Sequence, residues 1–247
     1  MTMHFATATR LILTILSFIV LWQMIIVIFD LQPYILPSPL QVLLAFKMHY
    51  MLIIKEALPT IFETCVGLLL GILFGTLTAI FMLFWRPLAV WLLPILIMSQ
   101  AMPTFAIAPL FVVWFGFGLT SKIVITIIMI FFPITSAFYD GLKNTDKNWL
   151  ELAKMMNGKK WRIFWYIRIP AAAQKFASGV RVASVIAPMG AIIGEWVGAS
   201  QGLGFLMLSA NARMQIDLLF AALITIMIFA LLLYFITDKF LRMTINW

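Results

Sequence analysis

Apolar residues in this chain run in long unbroken blocks, and the polar residues gather between them. Six blocks stand out, at residues 11–29, 57–84, 88–115, 123–138, 176–197 and 218–236. About 20 consecutive apolar residues cross the hydrocarbon core as a helix, which satisfies its own backbone where no water can. Barrel strands would show alternating polarity, and continuous runs such as 123–132 do not. The pattern predicts an all-α, polytopic membrane protein with about six transmembrane helices, organised as one domain over residues 1–247.

Departures from the pattern say where the helices bend and meet. Arg10 precedes the first block, which is too long for a signal-peptide core and is followed by Asp30-Leu31-Gln32-Pro33 rather than small residues. It is read as an uncleaved helix. Pro33, Pro37 and Pro39 then predict a bend, and 41–50 a short segment lying along the interface. Gly67, Gly71 and Gly75 recur at i, i+4 and i+8, a stripe that lets another helix come close. Pro94, Pro103 and Pro109 interrupt the third span, a feature tolerated where a cavity or neighbour satisfies the freed backbone, and Gln100 is placed to line such a cavity. A turn at 116–122, ending in Lys122, and a glycine-rich loop at Gly198, Gly202 and Gly204 lie on the opposite side from the chain ends.

Composition strengthens this picture. The chain is 64% hydrophobic and 11% charged, with a mean hydropathy of +1.08; soluble domains carry roughly 25% charged residues. The net charge of +8 reflects cations flanking apolar spans, so topology explains it and a nucleic-acid partner is not expected. Eight of the seventeen Lys and Arg residues fall between Lys143 and Lys175. Such an island belongs in water, and its cationic excess places it on the cytoplasmic side. Arg10, Arg86, Lys239 and Arg242 fall on the same side, which puts both termini in the cytoplasm of a bacterial inner-membrane protein.

Few residues suggest chemistry. Cys65 is the single cysteine, and His4 and His49 have no ligand-type residues at metal spacing, so no metal or catalytic centre is expected. Glu63 is a carboxylate inside a span and hence a candidate for the pathway. Glu195 is either a pathway residue or the partner of Arg213 in an ion pair at the outer gate. Arg181 is a gate or cavity residue, or a cation at the span boundary.

Within the island, Asp146 is placed to cap a short helix from 147 to 156, which carries Leu150, Glu151, Ala153 and Met155. Asn157-Gly158 would stop it, because both residues tolerate the left-handed conformation. A second short helix presents Trp161, Phe164 and Trp165 on one face. The excursion reads as a helix offered to a groove on a soluble partner.

Glu151-x-Ala153, a turn at Asn157, then Ile167-x-Ile169-Pro170 resembles the cytoplasmic loop of permease subunits of binding-protein-dependent ABC importers, E-A-A-x-x-x-G, nine residues, then I-x-L-P. Leu152 replaces the first alanine, and Asn157 stands at the glycine with Gly158 following. Leu36-Pro37-Ser38-Pro39, Ala108-Pro109-Leu110, Trp114-Phe115-Gly116, Gly179 with Arg181, and Gly202-Leu203-Gly204 resemble the nitrate/sulfonate/taurine branch. The stretch from Gly194-Glu195-Trp196 to Ala212-Arg213 looks most like permeases for thiamine-precursor pyrimidines such as hydroxymethylpyrimidine.

The resemblance implies a type I importer permease fold that forms half of a pore, paired with a second copy. It implies a cytoplasmic ATPase dimer that holds ATP and Mg and takes the loop in its groove, and an extracytoplasmic binding protein that delivers solute. The chain itself has no G-x-x-x-x-G-K-[ST] loop, so no cofactor and no enzymatic activity are expected of it. Acidic Glu63 and Glu195 suit a neutral or weakly basic solute better than a sulfonate, taurine or nitrate anion. An ATP-independent secondary transporter is the rival reading; it leaves the docking loop unexplained and would show an inverted repeat.

Overall fold

In the computed structural model, which describes residues 2–245 and, in the first twelve, only the side chain of Arg10, every regular element is a helix. His4 lies outside the described side chains. The order is α1 (Thr2–Phe29), α2 (Pro39–Phe84), α3 (Arg86–Ala101), α4 (Thr104–Phe115), α5 (Leu119–Lys143) and α6 (Lys147–Met155). Then come α7 (Lys160–Ile163), a π turn at Phe164–Arg168, α8 (Ile169–Gly198), α9 (Leu203–Ala212) and α10 (Ile216–Thr244).

The prolines set the start of helix α2: Pro39 occupies the first turn, the Ser38 hydroxyl accepts from the Gln41 amide at 3.2 Å, and Gln41 Oε1 accepts from the Ser38 amide at 2.8 Å. That reciprocal cap satisfies two otherwise orphaned donors. The 46 residues to Phe84 are two helices joined at a kink: His49, with φ −112° and ψ 17°, is not helical, so the expected short segment at 41–50 is present as a first helix set off from the rest of α2. At 1.5 Å per residue the part after the kink, 50–84, is about 52 Å long, longer than the roughly 30 Å hydrocarbon core.

Four helical stretches are long and apolar enough to cross a membrane: Pro39–Phe84, Leu119–Lys143, Lys160–Gly198 and Ile216–Thr244. Helices α3 and α4 are bent by 107° at Met102-Pro103 and make a fifth span if counted together. The remaining expected span falls on α1, whose described apolar stretch Leu13–Phe29 is shorter. The fifth span was expected to begin near 176; instead the helix begins at Lys160 and crosses Pro170 without breaking. Proline is harmless there because it sits in the first turn of α8, and the π turn carries the chain in from α7.

Helix α5 is the centre of the bundle, gripped by α2 and α8. A Cβ on Gly67 would stand 2.5 Å from Thr126, one on Gly71 2.5 Å from Ile130, and one on Gly75 3.0 Å from Ile134. From the other side, a Cβ on Gly190 would come within 2.7 Å of the Thr126 backbone and one on Gly179 within 2.8 Å of the Pro133 carbonyl. Contact this close is how helices associate in lipid, where no hydrophobic drive acts between them. A second core joins the first half of α2 to α9 and α10 through Ile53, Ala57, Leu203, Leu206 and Ala222.

Candidate functional site

Two polar regions stand at opposite ends of this bundle. Glu63 lies 21 residues before the end of α2, and Phe84 at that end packs against Phe164 in the island, with ring centroids 5.0 Å apart. The helical rise separates the two regions by about 30 Å.

At the island, the Asp146 side chain accepts from the Asn148 amide at 2.8 Å and starts α6. Asn157 adopts φ +61°, and the Gly158 amide closes the helix on the Ala153 carbonyl at 2.9 Å. Leu150 turns inward and lines a recess with Phe84, Ile163 and Phe164. Phe164 is the buried anchor of the segment, while Trp161 and Trp165 around it stay exposed. Arg168 Nη1 donates to the Leu142 carbonyl at 2.9 Å and ties the end of the island to α5. Glu151 is exposed, as are Leu152, Met156 and Met155, the last at 86%. A groove of about 780 Å³ runs between α6 and the start of α8, lined by Trp149, Leu152, Ala153, Met156, Ile167 and Pro170. The expected second short helix is no independent element; α7 and the π turn are the first turns of the rod that ends at Gly198.

At the far end, charges are buried rather than displayed. Lys122 Nζ donates to Glu63 Oε1 at 2.7 Å, with both side chains at most 5% exposed. Lys122 therefore does not end an exposed turn, as the sequence suggested; it points into the bundle from α5. Glu195 accepts from the Thr60 hydroxyl at 2.6 Å and from the Gly204 amide at 2.5 Å. The Leu203 amide donates to Thr60 Oγ1 at 2.8 Å, and the Gly202 amide to Glu56 Oε2 at 2.6 Å. Three successive backbone N–H groups at the start of α9 are thus held by α2 and α8. Gly202 has φ +115°, and a Cβ there would collide with the Glu195 carboxylate, so only glycine fits. The expected ion pair between Glu195 and Arg213 does not form: Arg213 is exposed beyond the end of α9. Beside the cluster lies a cavity of about 660 Å³, lined by Lys122, Glu195, Phe117, Trp196 and Phe205.

The other candidates fall elsewhere. Gln100 is exposed at the α3–α4 bend, on the rim of a recess of about 270 Å³ with Ser99, Thr104 and Met189. Arg181 pairs with Asp238 of α10 through Nε at 2.6 Å, and Arg242 reaches the other oxygen at 2.9 Å. Sequence reasoning missed Lys122, Thr60 and Glu56. A usable signal existed: Glu56, Thr60 and Glu63 share one face of α2 at i, i+4 and i+7. Among the described residues no group of side chains could hold a metal ion.

Residues 67–244 match the family described as "Binding-protein-dependent transport system inner membrane component". The chain is 49% identical over 224 residues to a probable ABC transporter permease protein of Haemophilus influenzae, covering 91% of each chain. It is 37% identical over 175 residues to the formylaminopyrimidine transport permease protein ThiX of Halalkalibacterium halodurans, covering 70% of each. Among solved structures, the inward-facing MetNI methionine ABC transporter superposes with a TM-score of 0.66 at 19% identity, over 78% of this chain and 96% of that one.

Proposed function

From the premise that this chain belongs to the inner membrane components of binding-protein-dependent transport systems, and is an ABC importer permease of the nitrate/sulfonate/taurine type, we propose that it forms the translocation pathway for a thiamine-precursor pyrimidine. In this reading two copies build the pore. A cytoplasmic ATPase dimer docks on α6, and a binding protein delivers solute to the opposite face.

The observation that carries the docking role is α6 itself. It is a capped helix of nine residues in water, with Glu151, Leu152, Met155 and Met156 all exposed and a groove beside it. A helix that shows apolar side chains to solvent is built to be covered, and insertion into a partner's groove covers it. The ATPase supplies ATP and Mg; closure of its two halves would draw the two α6 helices together and rock the rods they start. The pyrimidine reading is supported by the 37% identity to a formylaminopyrimidine permease and by the far cavity, whose charged lining is Glu195 and a Lys122 already paired with Glu63. A sulfonate or taurine substrate would need an exposed cation there, and Lys122 is already committed to Glu63.

The test of docking is co-purification with the ATPase encoded for the same system. Wild type should retain the ATPase, and Glu151→Lys should lose it while staying monodisperse. Equal retention by both, or none by wild type, ends the docking assignment. Uptake of labelled hydroxymethylpyrimidine against labelled taurine by the complete system then decides the substrate.

A further inference from the structure

Glu63 and Glu195 are the most deeply buried carboxylates in the described chain, each at most 1% exposed. Three of their four oxygens have donors: Lys122 on Glu63 Oε1, the Thr60 hydroxyl on Glu195 Oε1 and the Gly204 amide on Glu195 Oε2. The fourth, Glu63 Oε2, is buried with no donor among the described residues. The two carboxylates share their neighbours: Thr60, which donates to Glu195, lies one turn before Glu63 on the same face of α2, and Lys122, which holds Glu63, lines the same cavity as Glu195.

That arrangement does not balance as drawn. A buried oxygen without a donor forfeits its hydration for nothing. Two facing carboxylates cannot both stay ionised in an apolar site against one cation. The charged groups facing the pair are Lys122 from α5 and Glu56 from α2, which is only half-buried and occupied by the Gly202 amide. Helix α9 and the loop before it contribute backbone N–H groups alone. One proton removes both faults. Placed on Glu63 Oε2, it turns an orphaned acceptor into a donor toward Glu195 and leaves the group of Glu63, Glu195 and Lys122 neutral.

We propose that Glu63 and Glu195 form a site for a single proton, and that this proton keeps Glu195 in position to hold the start of α9. The ligand is the proton itself, shared between two carboxyl groups, with no metal and no transported solute required. Loss of the proton leaves two anions facing each other beside one ammonium. Their repulsion pushes Glu195 away from the Gly204 amide and releases the hairpin of α9. Alkaline conditions therefore loosen this end of the molecule. Glu63→Gln locks it, because a carboxamide offers Glu195 the same hydrogen bond without needing a proton.

Infrared difference spectra of the full transporter in vesicles at neutral pH test the proton directly. Wild type minus Glu63→Gln should show the carbonyl stretch of one protonated carboxyl group. Glu195→Gln should abolish the same band, since Glu63 then pairs with Lys122 alone, and Glu151→Gln should leave it in place. If the band is missing from wild type, or survives in both cluster variants, the proton site is wrong. The holding role is read separately from a nitroxide at Ser200→Cys in a Cys65→Ser background. Its mobility should rise with pH in the otherwise wild-type chain and stay low at every pH with Glu63→Gln. A label that ignores pH in both chains, or follows it equally in both, overturns the holding role. Should Glu63→Gln fail to fold, Glu195→Gln still decides the infrared result. The spin label then reads Lys122→Met, in which the pair holds its proton more tightly without the cation, so the rise in mobility should move to higher pH, and an unmoved or lowered midpoint overturns the holding role.

Discussion

The island around α6 and the cluster around Glu63 use the same kinds of side chain to opposite ends. In the island, Glu151, Lys147, Lys154 and Lys159 are exposed to water and make no ion pair among the described residues. Their charges cost little and add little to folding. At the far end, Glu63, Lys122 and Glu195 are stripped of water, and each depends on partners from another helix. There, any unmatched charge costs several kcal/mol. The lesson is that one end leaves its charged and apolar side chains open to solvent, while the other is closed on itself.

If that contrast holds, the largest loss should follow Lys122→Met. It leaves the buried Glu63–Glu195 pair, which carries one negative charge, without its cation and should cost about 3–5 kcal/mol, as breaking a buried pair does. Thermal unfolding of the purified protein in detergent is the check, and the double variant Lys122→Met/Glu195→Gln, which removes the remaining anion, should recover most of the loss. Gly71→Val comes next. Its side chain meets Ile130 at 2.5 Å from the first carbon onward, so overpacking by about 1–3 kcal/mol is expected. Adding Ile130→Ala should return part of that stability, whereas Ile53→Ala, in a different core, should not.

Smaller effects belong to the partly solvated charges. Arg242→Ala removes one side of a bridge in which the arginine is 68% exposed, and should change stability by less than about 1 kcal/mol. Smallest of all, Glu151→Lys should shift unfolding by less than about 0.5 kcal/mol while abolishing capture of the ATPase. A substantial fall in its melting temperature would blur the contrast, because α6 would then be part of the chain's own core.

How much of this the sequence discloses depends on how local each feature is. The spans are legible because lipid demands continuous apolar runs. The end of α6 is legible because Asn157-Gly158 is a local backbone signal, and Asn157 does take the left-handed conformation. The glycine register on α2 is visible as a period, though not its partner α5. The buried cluster is not legible, because Lys122 and Glu63 are 59 residues apart and Thr60 and Glu195 are 135 apart. The sequence offered Arg213 as one alternative partner for Glu195, and the fold instead supplied a hydroxyl and a backbone amide. The beginning of α8 was hidden for another reason. Lys160, Arg162, Arg168 and Pro170 look like a boundary of the span, yet a helix leaving the membrane carries all four in its solvated turns.

The unbroken stretch from Lys160 to Gly198 has a mechanical consequence. At 39 residues it is an arm about 58 Å long, with the cationic island's Lys160 at one tip and Glu195 near the other. A tilt of roughly 5° about its midpoint would carry either tip through about 2.5 Å, given that length. That is the span of the contact between Glu195 and the Gly204 amide, 2.5 Å. A push on one side of the bilayer could thus unfasten the other by leverage alone, with no relay of side chains between them.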